Sequence, residues 1–208
     1  MTEISQSKIA CLFVDIGGVM LSDGWGHAAR ALAAKTFGLN AKEMEIRHDQ
    51  IFDTCELGKF TFEEYLRQAV FYEKRGFTLA EFQQFIFMQS KPDLPMIDLV
   101  RKLKPKYGLK IAVVSNEVRE LNTYRIRKFK LNSFIDFFIS SSFVHLRKPD
   151  PDIYRLALDI AQVPAGQVVY IDNISMFTKV AESLGIRSIH HTDYKTTCTK
   201  LSSFGLGI

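Results

Sequence analysis

Cysteine is scarce: three in 208 residues, at Cys11, Cys55 and Cys198, far apart and odd in number. That excludes a disulfide framework and any zinc-ligand spacing, and points to reduced thiols in a cytoplasmic protein. Long apolar runs are also missing. The first apolar stretch is broken by Asp15 and lacks a positively charged lead, so neither a membrane span nor a secretion signal is expected. Charge of one sign hardly dominates, at a formal net +4. The basic runs at 101–110 and 125–130 read as solvated helix faces, and with no nucleic-acid motif beside them neither a nucleic-acid nor a membrane partner is expected. Internal repeats and low-complexity segments are absent. What remains is a chain with 47% hydrophobic residues, enough for one substantial core and a small appended module.

The rest is organised around Ile9-Ala10-Cys11-Leu12-Phe13-Val14-Asp15-Ile16-Gly17-Gly18-Val19. Its apolar run reads as a short strand buried on both faces, delivering Asp15 to the strand's carboxyl end, where open α/β sheets place their chemistry. Gly17 and Gly18 let a ligand approach the backbone closely.

Helical signals follow. His27–Phe37 is alanine-rich and stopped by Gly38, and capping-box patterns open at Asn40, Thr61 and Thr78, the last two with aromatic staples Phe60/Tyr65 and Phe77/Phe82. Residues 22–92 are therefore expected to form an all-helical cap, with its aromatics as packing core. Lys91-Pro92-Asp93-Leu94-Pro95 cannot continue a helix and reads as the return linker. Beyond it, helices at 96–106, 118–129, Pro151–Ala161 and 175–184 alternate with strands at 110–114, Phe137–Ser140, 168–171 and Arg187–His190. Alternation of this kind predicts a three-layer, Rossmann-like α/β core with a parallel sheet, spanning 1–21 and 93–208.

Three later stretches could serve Asp15. The 110–114 strand runs into Ser115-Asn116, offering a hydroxyl and backbone amides to an anion. Arg147-Lys148-Pro149-Asp150-Pro151 sets a lysine before a proline-started helix, and the 168–171 strand ends in Asp172-Asn173. Taken singly, each pair also reads as an ordinary helix cap or a surface lysine.

In their order and positions these stretches resemble the haloacid dehalogenase superfamily, in the subgroup with a small helical cap between the first and second motifs. The resemblance implies Asp15 as nucleophile and Ser115 with Asn116, Gly17 and Gly18 around a bound phosphate. It further implies Lys148 for charge neutralisation, and Asp15, the Gly17 carbonyl, Asp172 and Asn173 at a Mg²⁺ site. Two positions depart from it. Phosphatases of the superfamily usually carry a second aspartate where Gly17 stands, and an acid where Asn173 stands, so the metal site is expected to be weakened. The expected activity is hydrolysis of a small, sugar-phosphate-like phosphorylated metabolite through an aspartyl-phosphate. Arg119, a few residues after Ser115-Asn116, accords with that. One alternative is metal-independent 2-haloacid dehalogenation, with Arg47 as carboxylate ligand, although Val19 stands where those enzymes carry threonine. The other is a weakly active or inactive phosphate-ligand-binding homologue. Trp25, just past the first cap hinge, could face the substrate or the cap core. Nothing in the pattern sets an oligomeric state.

Overall fold

A computed structural model describes residues 8–208. Strand β1 (Cys11–Val14) is followed by α1 (His27–Phe37), α2 (Ala41–Glu56), α3 (Phe62–Ala69) and α4 (Leu79–Met88). Then come α5 (Leu94–Tyr107), β2 (Lys110–Ser115), α6 (Arg119–Lys128), β3 (Phe137–Ser140), the short α7 (Ser141–Val144) and α8 (Pro151–Ala161). The chain finishes with β4 (Val168–Asp172), α9 (Ser175–Ser183), β5 (Arg187–His190) and α10 (Tyr194–Ser203). The five strands form one parallel sheet in the order β3-β2-β1-β4-β5. The chain winds outward from β1 to β3 and then returns to β1's other side. That reversal opens a crevice at the carboxyl ends of the central strands.

The two-residue period of the strands sorts their side chains between two cores. Leu12, Val14, Ile111, Val113, Val169 and Ile171 face one side, with α5 and α10. Cys11, Phe13, Ala112, Val114, Val168 and Tyr170 face the other, against α8 and α9. Helices α1–α4 build a separate aromatic cluster around Trp25, Phe62, Tyr65 and Phe82, joined by Val118 and Leu121 from the α6 region.

Local signals set most boundaries. Gly38 and Gly108 terminate α1 and α5 in the left-handed conformation, and Asp150 caps α8, with Pro151 in its first turn. Thr61 and Thr78 form complete capping boxes with Glu64 and Glu81. Asn40 makes only half of one, since the Glu43 carboxylate goes to Arg47. The return linker is shorter than expected: Asp93 caps α5 and Pro95 sits in its first turn, where a missing N–H costs nothing. Helix α10, capped by Asp193, was not among the predicted elements; its only sequence signal is that cap ahead of Tyr194, Cys198 and Leu201 at helical spacing.

The 125–130 run corrects one expectation. Lys128 and Lys130 are solvated, but Arg125 is 1% exposed. It is held by Glu117, by Ser90 Oγ at 3.0 Å and by the Ser22 carbonyl at 2.9 Å. Ser22 and Ser90 lie on the two connections of the helical segment, which also pair with each other through Ser22 N–H to the Lys91 carbonyl. Cys11 and Cys55 are buried free thiols, each pushed up to about 12 by burial. No helix of the described residues is long and apolar enough to cross a membrane.

Candidate active site

Three of the strand ends converge. Asp15 follows β1, Ser115 closes β2 and Asp172 closes β4, so parallel pairing of β1 with both neighbours brings them to one edge. Lys148, fully buried, reaches between them: its Nζ lies 3.1 Å from Asp15 Oδ2, 2.6 Å from Asp172 Oδ2 and 3.2 Å from the Tyr170 hydroxyl. Tyr170 and Asp172 are two apart on β4 and project to the same side, and the Tyr170 hydroxyl donates to Asp172. The other Asp172 oxygen accepts from Ile174 N–H at 2.7 Å, so both of its oxygens are engaged within the protein.

Electrostatics here set burial against pairing. Burial pushes Asp15 up to about 6, opposed by Lys148 and reinforced by Asp172, with a hydrogen bond from Ser115 favouring the charged form. For Lys148, burial acts to lower the pKa, but the attraction of Asp15 and Asp172 overrides it and leaves the amine raised. Lys148 is therefore a fixed positive charge beside a carboxylate that burial has left poised near neutrality. Asp15 keeps its orientation because Oδ1 accepts from Ile16 N–H at 2.8 Å.

A cavity of about 240 Å³ opens over Asp15. Asp15, Gly17, Ser115, Asn116, Lys148 and Asn173 line it from the core side, and Trp25, Arg30, Phe52 and Glu56 from the helical segment. Asp172 lies behind Lys148 and is not part of the wall. Gly18 is not in the wall either, and its backbone explains its identity: φ is +70°, and a Cβ there would stand 2.2 Å from Asn173 Nδ2. Asn116 lines the cavity, but its carboxamide is committed to the Lys148 backbone, accepting from N–H at 2.8 Å and donating to the carbonyl at 2.9 Å. Its side chain positions the lysine, and only its main chain is free to meet an anion.

Two arginines weighed from sequence lie elsewhere. Arg47 pairs with Glu43 one turn away and stacks 3.7 Å from the Tyr72 ring centroid. Arg119 donates to the Ser142 carbonyl at 2.8 Å and lies over Phe143. Sequence reading overlooked Arg147 beside Lys148: it bridges to Asp53 at 2.8 Å and Glu56 at 2.7 Å, tying α2 to the core at the cavity rim. Trp25 borders the cavity while packed into the aromatic cluster at 3% exposure, and its indole N–H donates to the Tyr65 hydroxyl at 2.8 Å. The Tyr65 hydroxyl is also hydrogen-bonded to His48 Nδ1, 2.8 Å away, a histidine that burial lowers to about 4 and keeps neutral.

Among the described residues no three His, Cys, Asp or Glu side chains cluster as a metal cage. A hard cation would instead draw on one carboxylate, neutral oxygens and the ligand's own oxygens, a mode that suits Mg²⁺. Asp15, the Gly17 carbonyl and the Asn173 amide oxygen are of that chemistry.

Comparison with known proteins agrees with this architecture. The model of the haloacid dehalogenase-like hydrolases matches residues 9–174, and the chain belongs to that family. It is 27% identical to the pig (Sus scrofa) bifunctional epoxide hydrolase 2 over 208 residues, 90% of this chain but only 37% of the pig protein's length. It is 23% identical to phosphatase MT3486 of Mycobacterium tuberculosis, covering 87% of this chain and 86% of the relative. Among solved structures, the Bacteroides thetaiotaomicron enzyme BT-2542, crystallised with magnesium and inorganic phosphate, superposes with a TM-score of 0.75 at 22% identity, covering 87% and 93% of the two chains.

Proposed function

We propose that the protein is a phosphomonoester hydrolase acting on a small phosphorylated metabolite through an aspartyl-phosphate on Asp15. The observation that carries this reading is Asp15 in the cavity wall with its Oδ2 3.1 Å from the buried Lys148 ammonium. That pairing keeps a nucleophilic carboxylate ionised next to a charge able to receive phosphoryl oxygens. The phosphatase relative and the magnesium- and phosphate-bound BT-2542 support the same chemistry.

In this reading Asp15 attacks phosphorus in line, Lys148 offsets the charge gathering on the equatorial oxygens, and Ser115 with nearby backbone amides holds them. Asn116 fixes the Lys148 backbone, and Asp172 with Tyr170 fixes its ammonium. Asp15, the Gly17 carbonyl and Asn173 are the residues that would hold Mg²⁺, with Asp172 acting from behind through Lys148. When bound, the cation would supply further neutralisation of phosphate charge. Helices α1–α4, residues 22–92 with their connections, act as the cap that shields the site from water.

Dehalogenation of a 2-haloacid needs a free cation for the substrate carboxylate. Arg47 is outside the cavity, and the arginines that line it are both paired, Arg30 with Glu45 and Arg147 with Asp53 and Glu56. A panel of phosphate monoesters with Mg²⁺, run beside chloride release from 2-chloropropionate without metal, tests the assignment. Phosphate release that Asp15→Asn abolishes is expected. Chloride release, or an unimpaired Asp15→Asn variant, refutes it.

A further inference from the structure

The proposed reaction contains two proton transfers that Asp15 and Lys148 cannot perform. Expelling an alkoxide from a phosphate ester requires a proton on the leaving oxygen, and hydrolysing the acyl phosphate requires one to be taken from water. Gly17, two residues after the nucleophile, carries no side chain for either.

The carboxyl groups around the cavity can be sorted by what they already hold. Glu56 is bound by Arg147 through both Nε and Nη2. Glu117 is clasped by the buried Arg125. Asp23 is different: it lines the cavity, it is exposed, and its carboxylate has no ion pair or hydrogen bond among the described residues. Its place is also specific. A Cβ built on Gly17 would lie 3.6 Å from Asp23 Oδ1 and 3.6 Å from Asp23 Cα, so this carboxylate stands against the bare backbone beside the nucleophile. Ser22, the residue before it, is tied to Arg125, to Lys91 and to Gln89, which anchors Asp23 at the mouth of the site.

We infer that Asp23 is the acid–base catalyst of this site, occupying from the first cap connection the space left open by Gly17. The inference rests on the phosphatase reading. In the first step Asp15 Oδ bonds to phosphorus as the phosphorus–oxygen bond to the leaving group breaks, and the Asp23 carboxyl gives its proton to that oxygen. In the second, the Asp23 carboxylate takes a proton from the water whose oxygen attacks phosphorus. The Asp15–phosphorus bond breaks with its electrons returning to Asp15, and inorganic phosphate leaves with Asp23 protonated again.

The test compares kcat/KM, which reports transfer to Asp15, for an alkyl phosphate and for p-nitrophenyl phosphate, whose leaving group departs without a proton. Asp23→Asn is expected to lose about 10²–10⁴-fold on the alkyl ester and far less on the aryl ester. Because residue 17 has room for a Cβ at ordinary contact distance, adding Gly17→Asp to Asp23→Asn should restore much of the alkyl-ester rate. Thermal unfolding verifies that each variant is folded. Equal losses on both esters, no loss on either, or a folded double variant that gains nothing overturns the role of Asp23 and leaves the phosphatase reading standing. If the unsubstituted protein hydrolyses neither ester, the reading itself falls, and this inference with it.

Discussion

Arg125→Met removes the cation that joins both connections of the helical segment to the core. Its guanidinium touches Glu117, Ser90 and Ser22, and its Nη2 fills the space beside Gly24, where a Cβ would stand 1.9 Å away. At contact distance and an effective dielectric of about 20 the ionic attraction is on the order of 5 kcal/mol, most of it offset by taking both ions out of water. Deleting one partner is costlier than the pair's net worth, because a buried carboxylate is left without compensation, ~3–5 kcal/mol. In a protein of this size that corresponds to a fall in Tm of roughly 6–20 °C near neutral to mildly alkaline pH.

The pH dependence gives the sharper check. Burial raises Glu117 from its ordinary 4.5 to about 7, with Arg125 working against the rise. Across that window the folded protein holds a proton that the unfolded chain has lost, so this group makes stability fall as pH rises through it. Without Arg125 the carboxyl climbs further. The variant should therefore lie close to wild type at about pH 5, where Glu117 is neutral in the fold, and far below it at about pH 8. Adding Glu117→Gln should recover much of the loss at the higher pH. Calorimetric unfolding of the single and double variants at both pH values decides it: a loss independent of pH, or no recovery in the double variant, refutes the reasoning.

Other outcomes follow from the same geometry. Lys148→Met should abolish phosphate release and destabilise the fold by ~3–5 kcal/mol by leaving Asp15 and Asp172 facing each other unpaired, measured by activity and chemical denaturation. Asn173→Asp should tighten Mg²⁺ binding by placing an anionic oxygen at the cavity wall; isothermal titration showing equal or weaker affinity would remove Asn173 from the metal site. Trp25, the only tryptophan, should change its fluorescence when a phosphate mimic binds with Mg²⁺. An unchanged spectrum at saturation, established by titration calorimetry, would count against closure of the cap around Trp25.

Most of the elements, though not α7 or α10, and the line of residues that starts the chemistry were legible in the sequence. Apolar runs ending in Asp15, Ser115 and Asp172, a proline-led helix after Lys148, and threonine and glycine caps are local signals, since backbone preference and capping act over a few residues. Even Tyr170 was within reach, two residues before Asp172 on one strand. Tertiary structure alone decided which charges meet. Arg125 sits in a basic run that reads as solvated, and only Glu117, Ser90 and Ser22 make it a buried tie. Arg147 finds Glu56 across 91 residues, while Arg47 is captured by Glu43 one turn away. Asp23 gains its place against Gly17 from the way the first cap connection is pinned. Partners of a long polar side chain are chosen by burial and by competing donors and acceptors in space, and none of these is encoded in spacing along the chain.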